Sequence, residues 1–207
     1  MQRILLVTGT CDAFRPVSDM TIPSLKALAD QFGYRFVVEW EMSADSLHPA
    51  WAKLPLIVES LDGETDFVLW VDADIIAVRH DRDIRSEISP SHDLQIVRHD
   101  HFGPYTEPHY NTGVMLIRNC DWSKDFFTRA WELRHARDWA VVEESAIHHL
   151  LGFHGWVDGK PDQATADTKH FTSLPLEWNS VPGGKLSRPI RFSITTPVIR
   201  WTSGFDS

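Results

Sequence analysis

The sequence is poor in cysteine, and it lacks any apolar stretch long enough to cross a bilayer. Its two cysteines, Cys11 and Cys120, lie too far apart in the sequence to form a metal knuckle, which favours a reducing, cytoplasmic compartment. Residues 1–8 are too short for a signal-peptide core and run directly into a predicted strand. We therefore expect a cytoplasmic protein without a transmembrane segment.

Positive charge is also scarce: 20 Lys and Arg residues stand against 29 Asp and Glu residues, which gives a formal net charge of -9 at pH 7. This balance argues against a nucleic-acid partner and against binding to anionic membranes. An anionic substrate would need local neutralisation by a metal ion or by a few placed basic residues. The GxGxxG fingerprint is absent after the first predicted strand, so a dinucleotide site of the Rossmann type is not supported.

The 207 residues and the hydrophobic share of 43% suit one globular α/β domain spanning residues 1–207. Strands are predicted at residues 3–8 and 35–40, joined by a helix over 22–32 that Thr21 would cap. This β-α-β beginning predicts parallel pairing with a right-handed crossover. Later helices are predicted over 51–61, 123–139 and 143–151, and strands over 94–98, 114–117 and 197–201.

An apolar run over residues 67–71 leads directly into Asp72 and Asp74, and apolar residues follow again at 75–78. Such a run is typical of a buried central strand, and ligands of open α/β sheets bind at the carboxyl ends of those strands. Two carboxylates held together either share a proton or bind a hard cation. The alternative is a pair of solvated turn aspartates, which the continuing apolar sequence disfavours.

Four segments, in order, resemble the galactosyl/xylosyltransferase family of GT-A glycosyltransferases, which includes plant galactomannan galactosyltransferases and xyloglucan xylosyltransferases. They are Trp-Ala-Lys-Leu-Pro at 51–55, Trp-Val-Asp-Ala-Asp at 70–74, Asn-Thr-Gly-Val-Met-Leu-Ile-Arg-Asn-Cys-Asp-Trp-Ser at 111–123, and Glu-Glu-Ser-Ala-Ile at 143–147. They reach through roughly the first three quarters of the chain. The resemblance implies a single GT-A, Rossmann-like domain with a central mixed, mostly parallel sheet flanked by helices.

The same resemblance implies a retaining transfer of a hexose or pentose from a nucleoside diphosphate sugar, a UDP-sugar in this family, to a glycan or other hydroxyl acceptor. It implies Mn²⁺ or Mg²⁺ at Asp72 and Asp74, as a Lewis acid for the diphosphate. Glu143 and Glu144 are the candidates for stabilising an oxocarbenium-like centre, and Asn111 for a hydrogen bond to a sugar hydroxyl. The implied donor-binding residues are Thr8, Gly9, Lys53, Asp72, Ala73, Asp74, Asn111, Thr112, Gly113 and Arg200.

Two departures from the family pattern bear on the site. The family places a third metal ligand, a histidine, in a C-terminal segment, where this chain has Arg200 followed by Trp201. Arg200 would then reach the diphosphate directly, another residue such as His170 would complete the metal shell, or the metal would be held weakly. The family's Asp-Gln pair is replaced by Glu143 and Glu144, which adds a negative charge.

Two other function classes are compatible with parts of the sequence. A sugar-nucleotide-binding protein without transfer activity would explain the missing histidine. A phosphohydrolase of the haloacid dehalogenase type also uses a DxD at a strand end. That class predicts Thr or Val two residues after the second aspartate, where this chain has Ile76. It also predicts a later acidic pair at another strand end, which the sequence does not show.

Overall fold

The computed structural model describes residues 1–44, 46–61, 63–100, 108–136, 138–139 and 141–180, together with the strand at 192–194 and apart from the side chain of Trp156. The strands are β1 (Ile4–Gly9), β2 (Arg35–Glu39), β3 (Phe67–Val71), β4 (Ile75–Ala77), β5 (Leu94–His99), β6 (His109–Arg118), β7 (Phe171–Leu174) and β8 (Phe192–Ile194). The α-helices are α1 (Arg15–Phe32), α2 (Lys53–Ser60), α3 (Asp121–Glu132), α4 (Val142–Leu151) and α5 (His154–Asp158).

The main sheet has six strands in the order β2-β1-β3-β6-β5-β7. Strand β1 pairs in parallel with β2 and β3, and β5 pairs in parallel with β7, whereas β6 runs antiparallel to both of its neighbours. The predicted α/β class and the mixed, mostly parallel sheet are therefore confirmed. Strands β4 and β8 form a separate antiparallel pair.

Two apolar clusters cover the two faces of the sheet. On one face, side chains of α2, α3 and α4 such as Leu54, Phe126 and Ile147 pack with Val68 and Met115. The opposite face is covered by α1 through its apolar stripe, which packs against alternate residues of the same strands. All five residues of β3 are buried, as expected for a central strand with covered faces. None of the helices in the described ranges has the length and apolar character that crossing a bilayer requires.

Helix α1 begins at Arg15, well before the start predicted at residue 22. Thr21 is therefore not a cap, because it lies inside the helix and its hydroxyl donates to the Ala73 carbonyl oxygen. Pro23 also lies inside the helix, while Pro16 occupies the first turn, where a missing N–H costs nothing. The prediction chose the wrong proline as the start signal.

The apolar run over 67–71 forms β3, and a turn at Ala73 and Asp74 separates it from β4, although the apolar residues after Asp74 disfavoured a turn at the aspartates. Strand β6 begins at His109, so the residues Asn111, Thr112 and Gly113 belong to a strand and not to a turn. Helix α3 ends at Glu132, earlier than predicted. The strand predicted at 197–201 lies outside the described residues.

Gly152 ends α4 in the left-handed conformation with φ of 82°, and a Cβ built there would lie 1.9 Å from the carbonyl oxygen of Gln163. Gly33 ends α1 with φ of 64°, but a Cβ there would meet nothing within 4 Å. We expect Gly33→Ala to cost about 1 kcal/mol of unfolding free energy, which is the left-handed penalty alone. Gly152→Ala should cost about 3 kcal/mol or more, because the backbone of residue 163 must also move.

Urea denaturation of the two variants beside the wild type measures this difference. Equal losses for Gly33→Ala and Gly152→Ala would contradict the close approach of the segment after α5 to the end of α4.

Candidate functional site

Four strand ends meet at one edge of the main sheet. The carboxyl ends of β1, β3 and β5 lie there because these strands run in one direction, and the amino end of β6 joins them because β6 runs the other way. The backbone N–H of Asp72, just after β3, donates to the carbonyl oxygen of Gly113 on β6 at 2.8 Å. The Asp72–Asp74 turn and the Asn111–Gly113 segment are therefore neighbours at this edge.

A register shift in the β5–β6 ladder frees backbone groups at the site. Ile96 pairs with Met115, but the next residue, Val97, pairs with Asn111, so residues 112–114 have no partner on β5. The N–H of Thr112 donates instead to Glu144 Oε2 at 3.1 Å. The N–H of Gly113 donates to Asn111 Oδ1 at 3.0 Å. Side chains of the candidate site thus satisfy backbone groups that a regular strand pair would satisfy.

Lys53, in the first turn of α2, is 3% exposed and lies among carboxylates. Its Nζ is 2.9 Å from Asp72 Oδ1 and 2.7 Å from Glu143 Oε1, and it is 3.5 Å from both oxygens of Thr112. Burial alone would lower the pKa of Lys53, but the charges of Asp72 and Glu143 outweigh it and hold that pKa above its usual value. Lys53 is therefore a buried cation whose three N–H groups face protein acceptors.

Asp72 and Asp74 differ in their surroundings. Asp72 Oδ1 accepts a hydrogen bond from Trp70 Nε1 at 2.7 Å and pairs with Lys53. The side chain of Asp74 forms no ion pair with the described residues, and burial together with the charge of Asp72 raises its pKa to about 6. The charge of Lys53, which pairs with Asp72, opposes this rise in pKa, and Asp74 itself has no direct ion pair among the described residues.

Glu143 and Glu144 open α4 directly after Val142, whose φ of 38° is left-handed and strained for a β-branched residue. Both glutamates are 5% exposed. Glu143 is neutralised by Lys53 at 2.7 Å. Burial raises the pKa of Glu144 to about 8, the charges of Glu143 and Asp72 add to that rise, and the Thr112 N–H opposes it. Glu144 is thus mostly a neutral acid at pH 7, which makes it chemically close to a glutamine.

This protonation state predicts the pH dependence of stability. Because the folded state retains the Glu144 proton up to about pH 8 while the unfolded chain releases it near its ordinary pKa, the free energy of unfolding should fall as pH rises through that interval. The contribution is at most about 1.4 kcal/mol per pH unit. Glu144→Gln should remove it and leave the protein at least as stable as the wild type at pH 8.

Urea denaturation between pH 5 and pH 8 checks this expectation, with Glu132→Gln at the exposed end of α3 as the matched control. A steeper fall with pH in Glu144→Gln than in the wild type would contradict a neutral Glu144.

A cavity of about 430 Å³ opens at this edge, within the range of small-molecule sites. Lys53, Asp72, Asp74 and Glu143 supply its charged part, and Ala73 lines it between the two aspartates. The remaining lining comes from the segments after β1 and before α2, namely Gly9, Thr10, Cys11, Ala13, Phe14, Met42, His48, Pro49 and Ala50, together with Trp70. The sequence prediction missed most of this second group, although its position after β1 was a usable signal.

The other predicted residues lie around the cavity or away from it. Thr8 is fully buried and does not line the cavity, and neither do Glu144 and Thr112, which lie behind Glu143 and Lys53. Arg200 lies outside the described residues. His170 lies at the opposite edge of the sheet, where its Nδ1 is 2.6 Å from Asp93 Oδ2, so it is not placed to complete a metal shell at Asp74.

Within the residues that the structure describes, no three or more His, Cys, Asp or Glu side chains are arranged to hold a metal ion. The two aspartates of the turn are thus the metal-ligand candidates at this edge.

Comparison with curated proteins finds plant glycosyltransferases. The chain is 31% identical over 144 residues to probable glycosyltransferase 7 of Oryza sativa subsp. indica, a match covering 63% of this chain and 31% of that protein. It is 30% identical over 138 residues to galactomannan galactosyltransferase 1 of Cyamopsis tetragonoloba (60% and 31% covered). It is 30% identical over 147 residues to xyloglucan 6-xylosyltransferase 4 of Arabidopsis thaliana (62% and 27% covered).

These relatives confirm the resemblance to the galactosyl/xylosyltransferase family. The matched region spans about a third of the length of these relatives. No protein-family model matches the chain.

Solved structures with the same architecture are also glycosyltransferases. A glycosyltransferase involved in the glycosylation of the major capsid of PBCV-1 superposes with a TM-score of 0.71 at 15% identity, covering 93% of this chain and 94% of that one. The galactosyltransferase LgtC, in complex with donor and acceptor sugar analogs, gives a TM-score of 0.61 at 14% identity, with 93% and 87% covered. This likeness shows that the chain has the GT-A fold.

Proposed function

We propose that this chain of GT-A fold is a retaining glycosyltransferase that moves a hexose or pentose from a UDP-sugar to a hydroxyl of a glycan or other acceptor. The observation that supports this most is the cavity at the sheet edge, where the Asp72–Asp74 turn lies beside a buried Lys53–Glu143 pair. The named activities of the plant relatives point the same way.

The turn suits a divalent cation because Asp74 is a half-buried carboxylate beside that of Asp72, and it is Asp72, not Asp74, that forms the ion pair with Lys53. Oxygen ligands of this kind are those that Mn²⁺ and Mg²⁺ accept. Asp72 and Asp74 would hold the ion, which as a Lewis acid would supply positive charge for a diphosphate leaving group. Arg200 is proposed as a further contact to the diphosphate.

Lys53 organises the carboxylates of the site in this proposal. Its two short contacts hold Asp72 and Glu143 in fixed positions, and its burial leaves little of its charge for a ligand. A diphosphate contact by Lys53, as the family resemblance implies, would require one of these carboxylates to release it.

Glu143 lines the cavity and is proposed to face the anomeric carbon, where a carboxylate stabilises an oxocarbenium-like centre. Glu144 does not reach the cavity lining and holds Thr112 through the backbone N–H. Its neutral carboxyl group reproduces the glutamine that the family pattern has at this position.

The donor sugar is proposed to contact Asn111, and the nucleoside is proposed to occupy the part of the cavity formed by Gly9, Thr10 and Phe14 with residues before α2. Thr112 and Gly113 shape this edge through their backbone, and Ala73 keeps the two aspartates on one turn. Thr8, near the carboxyl end of β1, is fully buried and packs inside the core.

A thermal-shift screen of the wild type against UDP-glucose, UDP-galactose, UDP-xylose and GDP-mannose, with and without MnCl₂, tests binding. A ligand at 100 times its Kd adds about 2.7 kcal/mol, which raises Tm by about 5–10 °C for a chain of this size. We expect such a rise with one or more UDP-sugars in MnCl₂, accompanied by release of UDP on incubation.

Three outcomes would replace the proposal. Binding without UDP release in the presence of a glycan acceptor panel would indicate a sugar-nucleotide-binding protein. Phosphate release from p-nitrophenyl phosphate would indicate a phosphohydrolase, although the other buried acidic pair near Asp72 lies on a helix rather than a strand end. No Tm change with any nucleotide sugar would refute the proposed donor.

A further inference from the structure

Two asparagine side chains, Asn179 and Asn111, are hydrogen-bonded to each other beside the candidate site. Neither the family resemblance nor the relatives assign a role to this pair. Asn179, directly after β7 and a short 3-10 turn, is fully buried, and its Nδ2 donates to Asn111 Oδ1 at 2.6 Å. The same oxygen accepts from the backbone N–H of Gly113 at 3.0 Å. Asn111 on β6 is thus bonded from two sides through one atom.

This arrangement fixes which way the Asn111 amide faces. A backbone N–H can only donate, and the only acceptor on an asparagine side chain is its carbonyl oxygen, so Gly113 requires the oxygen of Asn111 at that position. Asn179 must then present its nitrogen. The Asn111 NH₂ group remains, and it donates to none of the described residues on this partly exposed side chain. Asn111 therefore offers the site hydrogen-bond donors and no acceptor.

The position of Asn179 is itself held by its backbone. Its N–H donates to the carbonyl oxygen of Leu176 at 3.1 Å, and its carbonyl oxygen lies 2.7 Å from Nε2 of the buried His99 at the end of β5. Burial lowers the pKa of His99, so the ring is neutral and donates through that nitrogen. These two backbone contacts fix the position of Asn179, whose side chain in turn holds that of Asn111.

Close packing leaves no freedom around this contact. A Cβ at Gly113 would lie 2.8 Å from Asn111 Oδ1 and 3.2 Å from Asn179 Nδ2, so the two amides lie directly against the strand backbone. Asn179 Oδ1 is buried and accepts no hydrogen bond from the residues that the structure describes, which is unfavourable for the folded state. A side chain kept at such a cost suggests a role beyond packing.

We propose that Asn179 is a positioning residue for sugar recognition: it holds Asn111 so that the NH₂ group donates to a hydroxyl oxygen of the donor sugar. This inference rests on the proposed function, because it assumes that a nucleotide sugar occupies this edge. It adds a selectivity rule, since the sugar must present an oxygen acceptor at the position that Asn111 faces.

The experiment compares the Kd of UDP with the Kd of UDP-glucose, UDP-galactose and UDP-xylose by calorimetry in MnCl₂. Asn179→Leu, similar in volume but without a donor, should leave the Kd of UDP unchanged and weaken the best UDP-sugar by about five- to tenfold. Asn111→Asp keeps both inner hydrogen bonds but replaces the free NH₂ by an oxygen, and it should cause at least the same loss. Asn179→Ala provides a second variant should leucine not fit.

Asn119→Ala is the matched control, because Asn119 Nδ2 donates to the Thr65 carbonyl oxygen at 2.9 Å at the opposite edge of the sheet. It should lower Tm without changing the ratio of the two Kd values. Loss of sugar affinity in Asn111→Asp with none in either Asn179 variant would overturn the positioning role. A wild type that binds UDP and every UDP-sugar equally would overturn it as well, whereas a wild type that binds no UDP would refute the proposed function itself.

Discussion

Replacing Lys53 by methionine is expected to lower the free energy of unfolding by about 3–5 kcal/mol at neutral pH. The side chain is 4% exposed and lies 2.7 Å from a glutamate that is 6% exposed, so the variant would leave Glu143 buried without a countercharge. Asp72 loses the same partner but retains the hydrogen bond from Trp70 and a 33% exposed side chain. The loss should be smaller at acidic pH, because a carboxyl group that protonates no longer requires the cation.

The double variant Lys53→Met, Glu143→Gln isolates the cause, because it removes both charges and should recover most of the stability. Lys26→Met is the matched control on α1, where Lys26 and Asp30 form an exposed pair at 2.6 Å, and its cost should be within about 0.5 kcal/mol. Urea denaturation at pH 7 measures all four proteins. A double variant as unstable as Lys53→Met would show that packing, and not charge, explains the loss.

Replacing Asp74 by asparagine should have opposite effects on stability and activity. Without metal, the variant should be more stable by about 1–2 kcal/mol, because a half-buried carboxylate with a pKa raised to about 6 disfavours the folded state at pH 7. UDP release from the donor should fall by about 100- to 1,000-fold, because the proposed cation loses a ligand at the leaving group. The stabilisation of the wild type by MnCl₂ should be lost at the same time.

The pH dependence gives a separate check on Asp74. A raised carboxyl pKa makes the wild type lose stability as pH rises from the unfolded value toward about 6, and this loss should be absent from Asp74→Asn. Asp30→Asn on the exposed face of α1 is the control for a carboxylate-to-amide change. If Asp74→Asn retained full UDP release and the Tm increase caused by MnCl₂, Asp74 would not be a metal ligand.

Elements with strong local signals were predictable from the sequence. The apolar run at residues 67–71 identified the central strand, and the acidic start and glycine stop of α4 identified that helix. The mixed sheet and the GT-A fold followed from motif order. Helix α1 was misplaced because two prolines at 16 and 23 can each mark a helix start, and only tertiary packing selects between them.

The site was less predictable because its arrangement depends on long-range contacts. Nothing near Lys53 in the sequence indicates that its ammonium group donates a hydrogen bond to Glu143, which lies 90 positions later. The sequence Asn-Thr-Gly at 111–113 is typical of a turn, but in the structure it belongs to β6. The β5–β6 register shift leaves residues 112–114 without partners on β5, and no pattern in the sequence indicates that shift. Asn179 carried no signal at all, because its neighbours in the sequence are not at the site.

The register shift in β6 has a consequence for how relatives of this chain should be compared. The backbone of residues 112 and 113 requires acceptors, and Glu144 and Asn111 provide them, so selection for folding alone can retain these two residues in a chain that has lost its ligand. Asp74 forms no ion pair with the described residues, and its raised pKa predicts that the charged carboxylate disfavours the folded state. Among relatives, an acidic residue at the position of Asp74 is therefore a better indicator of retained ligand binding than the residues at the positions of Glu144 and Asn111.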